Sequence, residues 1–238
     1  MKKIIYICIV VFFIGFLNSC SDDFIKVENK EVLTEESFWQ TEDHATQALT
    51  AAYGAMQSAS GSKWAFFEEI YTSMAYRADD INNNAAETYG RSLSSFSNTT
   101  EESGPYNVWQ ASYAGIGRAN QIIQQIPNME ALSDETKNGI IAEAKFLRAY
   151  YYFWLVTGFE NVPLVTVFSA ELENLFPDQV EPSAVWTQIE TDLSEAEADL
   201  PTSYPSEWKG RATKGAAKSL LGKVCLFQEK WGEAETKL

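Results

Sequence analysis

Residues 143–166 read EAKFLRAYYYFWLVTGFENVPLVT, and this stretch decides the fold. Ile140, Ala144, Leu147, Tyr151 and Leu155 recur at spacings of four and three, which stacks them along one face of a helix. From Phe146 onward Tyr150, Tyr152, Phe153 and Trp154 fill the other faces. A helix that is apolar all round belongs inside a larger packed body. The stretch therefore predicts a central helix with the later elements packed around it. Gly158 suits the left-handed cap that ends such a helix, and Pro163 prevents another from starting at once. Residues 162–167 are expected to be extended.

Outward from that helix, polar caps and apolar stripes outline further helices. Thr34 with Glu35 and Glu36, and Thr41 with Glu42 and Asp43, place hydroxyls before acidic first turns, predicting helices at 35–39 and about 42–58. His44 falls on the polar side of the second and reads as a solvated surface residue. Trp64, Phe67, Ile70, Tyr71 and Met74 predict a helix over 63–77. Residues 78–104 carry Asp, Asn, Ser, Thr and Gly without helical periodicity and read as one long loop, a length that usually goes with function. Pro105 suits the first turn of a helix striped by Trp109, Tyr113, Ile116, Asn120, Ile123 and Ile126 and closed by Pro127. Asn120 is the polar member of that stripe and is expected to bond a nearby backbone group. Pro182 opens a helix that buries Val185, Ile189, Leu193, Ala196 and Leu200 and turns Glu190, Asp192, Glu195 and Glu197 to water. Those carboxylates show no spacing that separates a glycosidase acid pair from a solvated face.

The amino terminus carries an address. Lys2 and Lys3 precede an uncharged apolar run from Ile4 to Leu17, too short for a membrane span and suited to a signal-peptide core. The run ends in Leu17-Asn18-Ser19-Cys20, which looks like a bacterial lipobox and predicts lipid attachment at Cys20. Ser21, Asp22 and Asp23 follow. The organisation expected is a signal peptide over 1–19, a tether over 20–33 and a helical domain over 34–238. Without the signal the chain is more acidic still than the −15 of the whole, which disfavours nucleic acid and anionic headgroups as partners. Anchoring then falls to acyl chains in the outer-membrane lipid. Cys8 leaves with the signal and Cys20 is acylated, so Cys225 has no disulfide partner. A single histidine argues against His-rich metal sites and Ser-His-Asp or Cys-His catalysis, and no cofactor or metal is implied.

Two motifs carry more. Leu221, Gly222, Cys225, Trp231 and Ala234 fall at tetratricopeptide spacings, with Cys225 in place of the usual Tyr. Leu238 falls where that pattern expects a large apolar residue, and the sequence stops before its final Ala and Pro, so a pair cut short and a marginally stable chain are expected. The second motif is the run E-A-x-F-L-R-A-x-Y-Y-F-x-L-V followed by V-P-L-V-T, which resembles the hallmark segment of the SusD/RagB outer-membrane nutrient-binding lipoproteins. The stretches VLTEESFWQTEDHATQALTAAYGAM, W-x-x-x-Y-x-x-I-x-R-A-N-x-I-I and GRATKGAAKSLLGKVCL are similar to that family as well.

The resemblance implies an all-α fold of tetratricopeptide-like helical pairs with long loops, here without its carboxy-terminal part, since family members are about twice this long. It implies a binding protein rather than an enzyme, lipid-anchored at the outer membrane and facing the exterior. It further implies a SusC-like TonB-dependent barrel transporter as partner, with an oligosaccharide, or in some members a peptide, as ligand. Within the loop, Asp79 and Asp80 match acidic positions of the family segment that contributes to the ligand site. Sugars need flat aromatic faces and planar polar groups, and Arg77, Asp79, Asp80, Asn82, Tyr89 and Arg91 are the candidates there. A solvated loop touching the barrel lip is the other reading of the same residues. A glycoside hydrolase and a tetratricopeptide scaffold without a small ligand remain alternatives at this stage.

Overall fold

The structure, a computed structural model, describes residues 35–57, 66, 70, 75–78, 88–100, 103–168 and 176–238. The signal segment, Cys20, the tether and the loop residues Asp79, Asp80 and Asn82 lie outside them, as does most of the helix expected over 63–77. The chain divides into two units at Phe38. The described part of the first is helix α1 (Glu35–Phe38).

The second unit, from Trp39, holds the core. Helix α2 (Glu42–Gly54) starts where the Thr41 hydroxyl accepts the His44 N–H, and it buries Ala45, Leu49 and Ala52. It is shorter than expected, and His44 is half-buried rather than solvated. Helix α3 (Thr88–Ser94) lies inside the segment expected to be one long loop. Its sequence TYGRSLS is too short to show a helical period, which is why the pattern misses it. Helix α4 (Ser103–Gln125) runs into a 3₁₀ turn at Ile126–Asn128, where Pro127 ends it.

Helix α5 (Asp134–Phe159) is the central element, capped by the Ser133 hydroxyl on the Thr136 N–H. All five residues of its predicted stripe are buried, with Tyr152, Phe153 and Val156 buried beside them. It packs mainly on α4 and α6 (Pro182–Asp199), and also on α2. The α4–α5 crossing is tight: a Cβ at Gly115 would lie 2.2 Å from the Tyr151 ring. Tyr151 in turn donates its hydroxyl to the Ala52 carbonyl at 2.7 Å and meets Phe66 edge-on at 5.7 Å, so one side chain ties three segments together. Gly158 does not end α5. The helix continues through Phe159, which packs edge-on against Trp109 at 5.1 Å, and Glu160 takes the positive φ of 60°.

Beyond that turn, strand β1 (Val162–Pro163) pairs antiparallel with β2 (Gln179–Val180), Val162 opposite Val180. Residues 163–167 are then held mostly by side chains. Tyr113 donates to the Pro163 carbonyl, Asn120 Nδ2 to those of Val165 and Val167, and Arg148 to that of Thr166. Tyr152 Oη both donates to the Val165 carbonyl and accepts the Val165 N–H. Asn120 thus bonds backbone, as its place in the stripe predicts.

The remaining helices are α7 (Lys214–Phe227), capped by Thr213 on the Ala216 N–H, and α8 (Trp231–Lys237). Their close approach centres on Gly222, where a Cβ would meet Leu238 Cγ at 2.7 Å. The sequence expectation holds for the α6 carboxylate Glu195, which is exposed, and is corrected for Asp192, which is buried, and for Glu190 and Glu197, which are half-buried; all four meet a cation. Asp192 is buried on Arg148, Glu195 meets Lys145 of α5, and Glu190 and Glu197 meet Lys230 and Lys237. A second buried carboxylate, Glu143, accepts a bidentate bond from Arg211 and one from the Tyr53 hydroxyl at 2.7 Å, fastening 211–212 to α2 and α5.

Candidate functional site

A cavity of about 590 Å³ opens between the segment after α3, the first turns of α4 and the last turns of α5. Its size falls within the usual range for small-ligand sites, roughly 300–1,000 Å³. The apolar floor comes from Ile70, Leu93 and Val108, all buried. Trp109 and Tyr106 on α4 and Trp154 and Phe159 on α5 supply aromatic walls. Trp109 and Phe159 are half-buried, Tyr106 is largely exposed, and Gly158 lies between the α5 aromatics.

Chain geometry explains why these side chains converge. Trp154 and Phe159 stand at the end of α5 away from the buried ion pairs, and Trp109 lies one turn before Tyr113 on the facing helix. Among the described residues Trp109 meets two rings, Tyr113 at 5.0 Å and Phe159 at 5.1 Å. Arrangements this close and tilted add about 0.5–1.5 kcal/mol beyond burial, so the wall is preformed. Tyr113 is pushed well above the ordinary tyrosine value by burial, then by neighbouring Tyr152, so its hydroxyl stays a donor.

Asn98, Thr99, Thr100 and Arg77 form the polar side of the cavity. Asn98, Thr99 and Thr100 follow an exposed Phe96 in the left-handed conformation at φ 51°, a position costly for a bulky residue. Among the described lining residues Arg77 is the charged one and there is no carboxylate, although the chain as a whole carries −15. No group of three or more His, Cys, Asp or Glu able to hold a metal occurs among the described residues. The arrangement can stack on flat apolar faces and hydrogen-bond to neutral polar groups.

Of the residues singled out in the sequence, Arg77 lines this cavity. Arg91 is exposed on α3 and does not line it, and Tyr89 belongs to the same helix. Asp79, Asp80 and Asn82 lie outside the described residues. Sequence reasoning missed Trp109, Trp154 and Phe159 because their spacing also fits core stripes. The available signal was an excess of aromatics at the end of α5 over what one buried face requires.

Comparison with known proteins identifies the family. The sequence model of a family described as SusD-like, "starch-binding associating with outer membrane", matches residues 23–226. The chain belongs to the SusD-like family. One SusD-like protein of Formosa agariphila is 25% identical over 238 residues, 96% of this chain and 44% of that protein. A second from the same organism is 31% identical over 84% of this chain and 38% of its own length. Among solved structures, a laminarin binding SusD-like protein superposes with a TM-score of 0.70 at 37% identity, covering 83% of this chain and 42% of that one. A SusD superfamily protein from Bacteroides vulgatus gives 0.74 at 25% identity, over 84% and 43%. This SusD-like chain therefore spans less than half the length of the relatives it matches, and its mostly helical architecture is the one they share.

Proposed function

We propose that this SusD-like chain captures an oligosaccharide at the α4–α5 cavity. It acts as the surface-exposed, lipid-anchored accessory subunit of a SusC-like TonB-dependent outer-membrane transporter. The observation that carries the reading is the pairing of aromatic walls at Trp109, Trp154 and Phe159 with the neutral polar rim of Asn98 to Thr100. Pyranose rings present a flat C–H face and paired hydroxyls, and those two surfaces match the two halves of the lining. The laminarin binding relative supports a glycan over a peptide. Engagement of Glu190, Asp192, Glu195 and Glu197 by cations supports a binding role over a hydrolytic one, since none of these carboxylates is placed at the cavity. Cys20 is the proposed attachment point of the acyl chains.

Native gels cast with laminarin or with starch test the proposal. Retarded migration in at least one gel, relative to a protein without glycan affinity, is the expected result. Unaltered migration in both would contradict it.

A further inference from the structure

The cavity wall depends on a turn that its own backbone does not favour. Phe159 is followed at once by Glu160 at φ 60°, ψ −94°, outside the regions open to a non-glycine residue without cost. Such a conformation persists where surrounding contacts determine it. On the far side of the turn, the Pro163 carbonyl accepts the Tyr113 hydroxyl at 2.7 Å. Tyr113 reaches it from α4, and its ring lies 5.0 Å from that of Trp109. One side chain therefore bonds the strand that follows Phe159 and packs against the residue that faces Phe159.

We propose that Tyr113 is a positioning residue for the ligand cavity: by anchoring Pro163 it sets the spacing and tilt of the Trp109–Phe159 wall. This rests on the reading of the cavity as a glycan site. Tyr152 provides an internal comparison, because neither tyrosine lines the cavity and its hydroxyl holds the same segment two residues farther on, at Val165. Among the described residues, only Tyr113 of the two packs on the Trp109 ring. A residue that merely stabilises the segment would behave as Tyr152 does. Tyr113 instead links the anchor to the wall.

The test compares Tyr113→Phe with Tyr152→Phe in the full chain, each losing one hydroxyl and keeping its ring. Trp109→Phe defines the contribution of Trp109 to the near-ultraviolet circular dichroism at its tryptophan-only, long-wavelength edge. Tyr113→Phe is expected to lose most of that contribution and to weaken laminarin binding about tenfold or more. Tyr152→Phe is expected to keep both, even where its melting temperature falls equally. A Tyr113→Phe protein with the Trp109 band intact, or one indistinguishable from Tyr152→Phe in band and affinity, overturns the proposal. If the unsubstituted chain shows no affinity for laminarin, or Trp109→Ala leaves affinity unchanged, the glycan reading fails separately, and the dichroism still decides whether Tyr113 positions the wall.

Discussion

Arg148 of α5 and Asp192 of α6, 44 residues apart, meet as a buried bidentate pair, Nε to Oδ2 at 2.8 Å and Nη2 to Oδ1 at 2.6 Å. The third guanidinium nitrogen bonds Asn120 Oδ1 at 2.9 Å and the Thr166 carbonyl at 3.2 Å, joining α4 and the segment after β1 to the same centre. Burial pushes the Asp192 carboxyl above the ordinary aspartate range, against the pull of Arg148. Taking two charges out of water is costly, so a buried pair of this kind is expected to specify which helices meet more than to stabilise them.

That balance predicts an asymmetry between single and double variants. Asp192→Ala leaves a buried guanidinium unpaired and should cost about 3–5 kcal/mol. Arg148→Met combined with Asp192→Leu should recover much of that loss, less the bonds to Asn120 and Thr166. Denaturant titrations of Asp192→Ala, Arg148→Met, Asp192→Leu and the double variant check this; a double variant as unstable as the sum of its two single substitutions would count against the pair as a specificity device.

Two glycines in close contacts should respond differently to alanine. At Gly115 the obstacle is the Tyr151 ring at 2.2 Å, fixed by its hydrogen bond to Ala52 and its contact with Phe66. Overpacking there should cost about 1–3 kcal/mol. At Gly222 the nearest obstacle is the Leu238 side chain, 70% exposed and so able to move, with Lys237 Cβ at 3.3 Å behind it. The gain in helix propensity, up to about 1 kcal/mol, should offset most of the clash. Thermal melts of Gly115→Ala and Gly222→Ala decide it, and equal losses would contradict the assigned geometry.

Alkali should unfold the chain through its tyrosines. Burial pushes Tyr53, Tyr113, Tyr151 and Tyr152 above their ordinary value of 10.0, with the nearby Glu143 charge adding to the effect at Tyr53. Above that pH the unfolded chain releases phenolic protons that the folded chain retains, so stability is intact below about pH 10 and falls as pH rises further. A spectrophotometric titration should show these tyrosinates appearing together with loss of helical signal. Their gradual appearance in a chain that remains helical would show that the phenols are not buried as described.

The apolar stripes of α4, α5 and α6 were legible in the sequence because each covers several turns at one period. The charged contacts were not. Glu190 and Glu197 lie seven apart on α6, and their partners Lys230 and Lys237 lie seven apart around the next turn, yet each side alone reads as a solvated face. Only the fold sets the pairs side by side. Gly158 failed as a cap because a tertiary contact prevailed over local preference: extending α5 by one residue places Phe159 against Trp109. The cavity was hidden for the same reason, since a half-buried wall and a core stripe share one spacing until the neighbouring segment is in place.

The proposed anchor makes a prediction of its own. One acyl chain of myristoyl size binds membranes only marginally, at about 10⁴ M⁻¹, so stable attachment through Cys20 requires more than one. Cys20→Ala should move the expressed protein from the membrane fraction to the soluble fraction. Retention with membranes after a salt wash would require a different anchor.

The central claim is that the α4–α5 cavity holds the glycan, and calorimetric titration with laminarin tests it most directly. Trp109→Ala removes an aromatic wall and should weaken binding about tenfold or more, as truncation of a buried aromatic anchor does. Arg91→Ala, on the exposed side of α3 and away from the cavity, should leave the dissociation constant unchanged. Binding that survives Trp109→Ala but is lost with Arg91→Ala would place the glycan elsewhere and contradict the account.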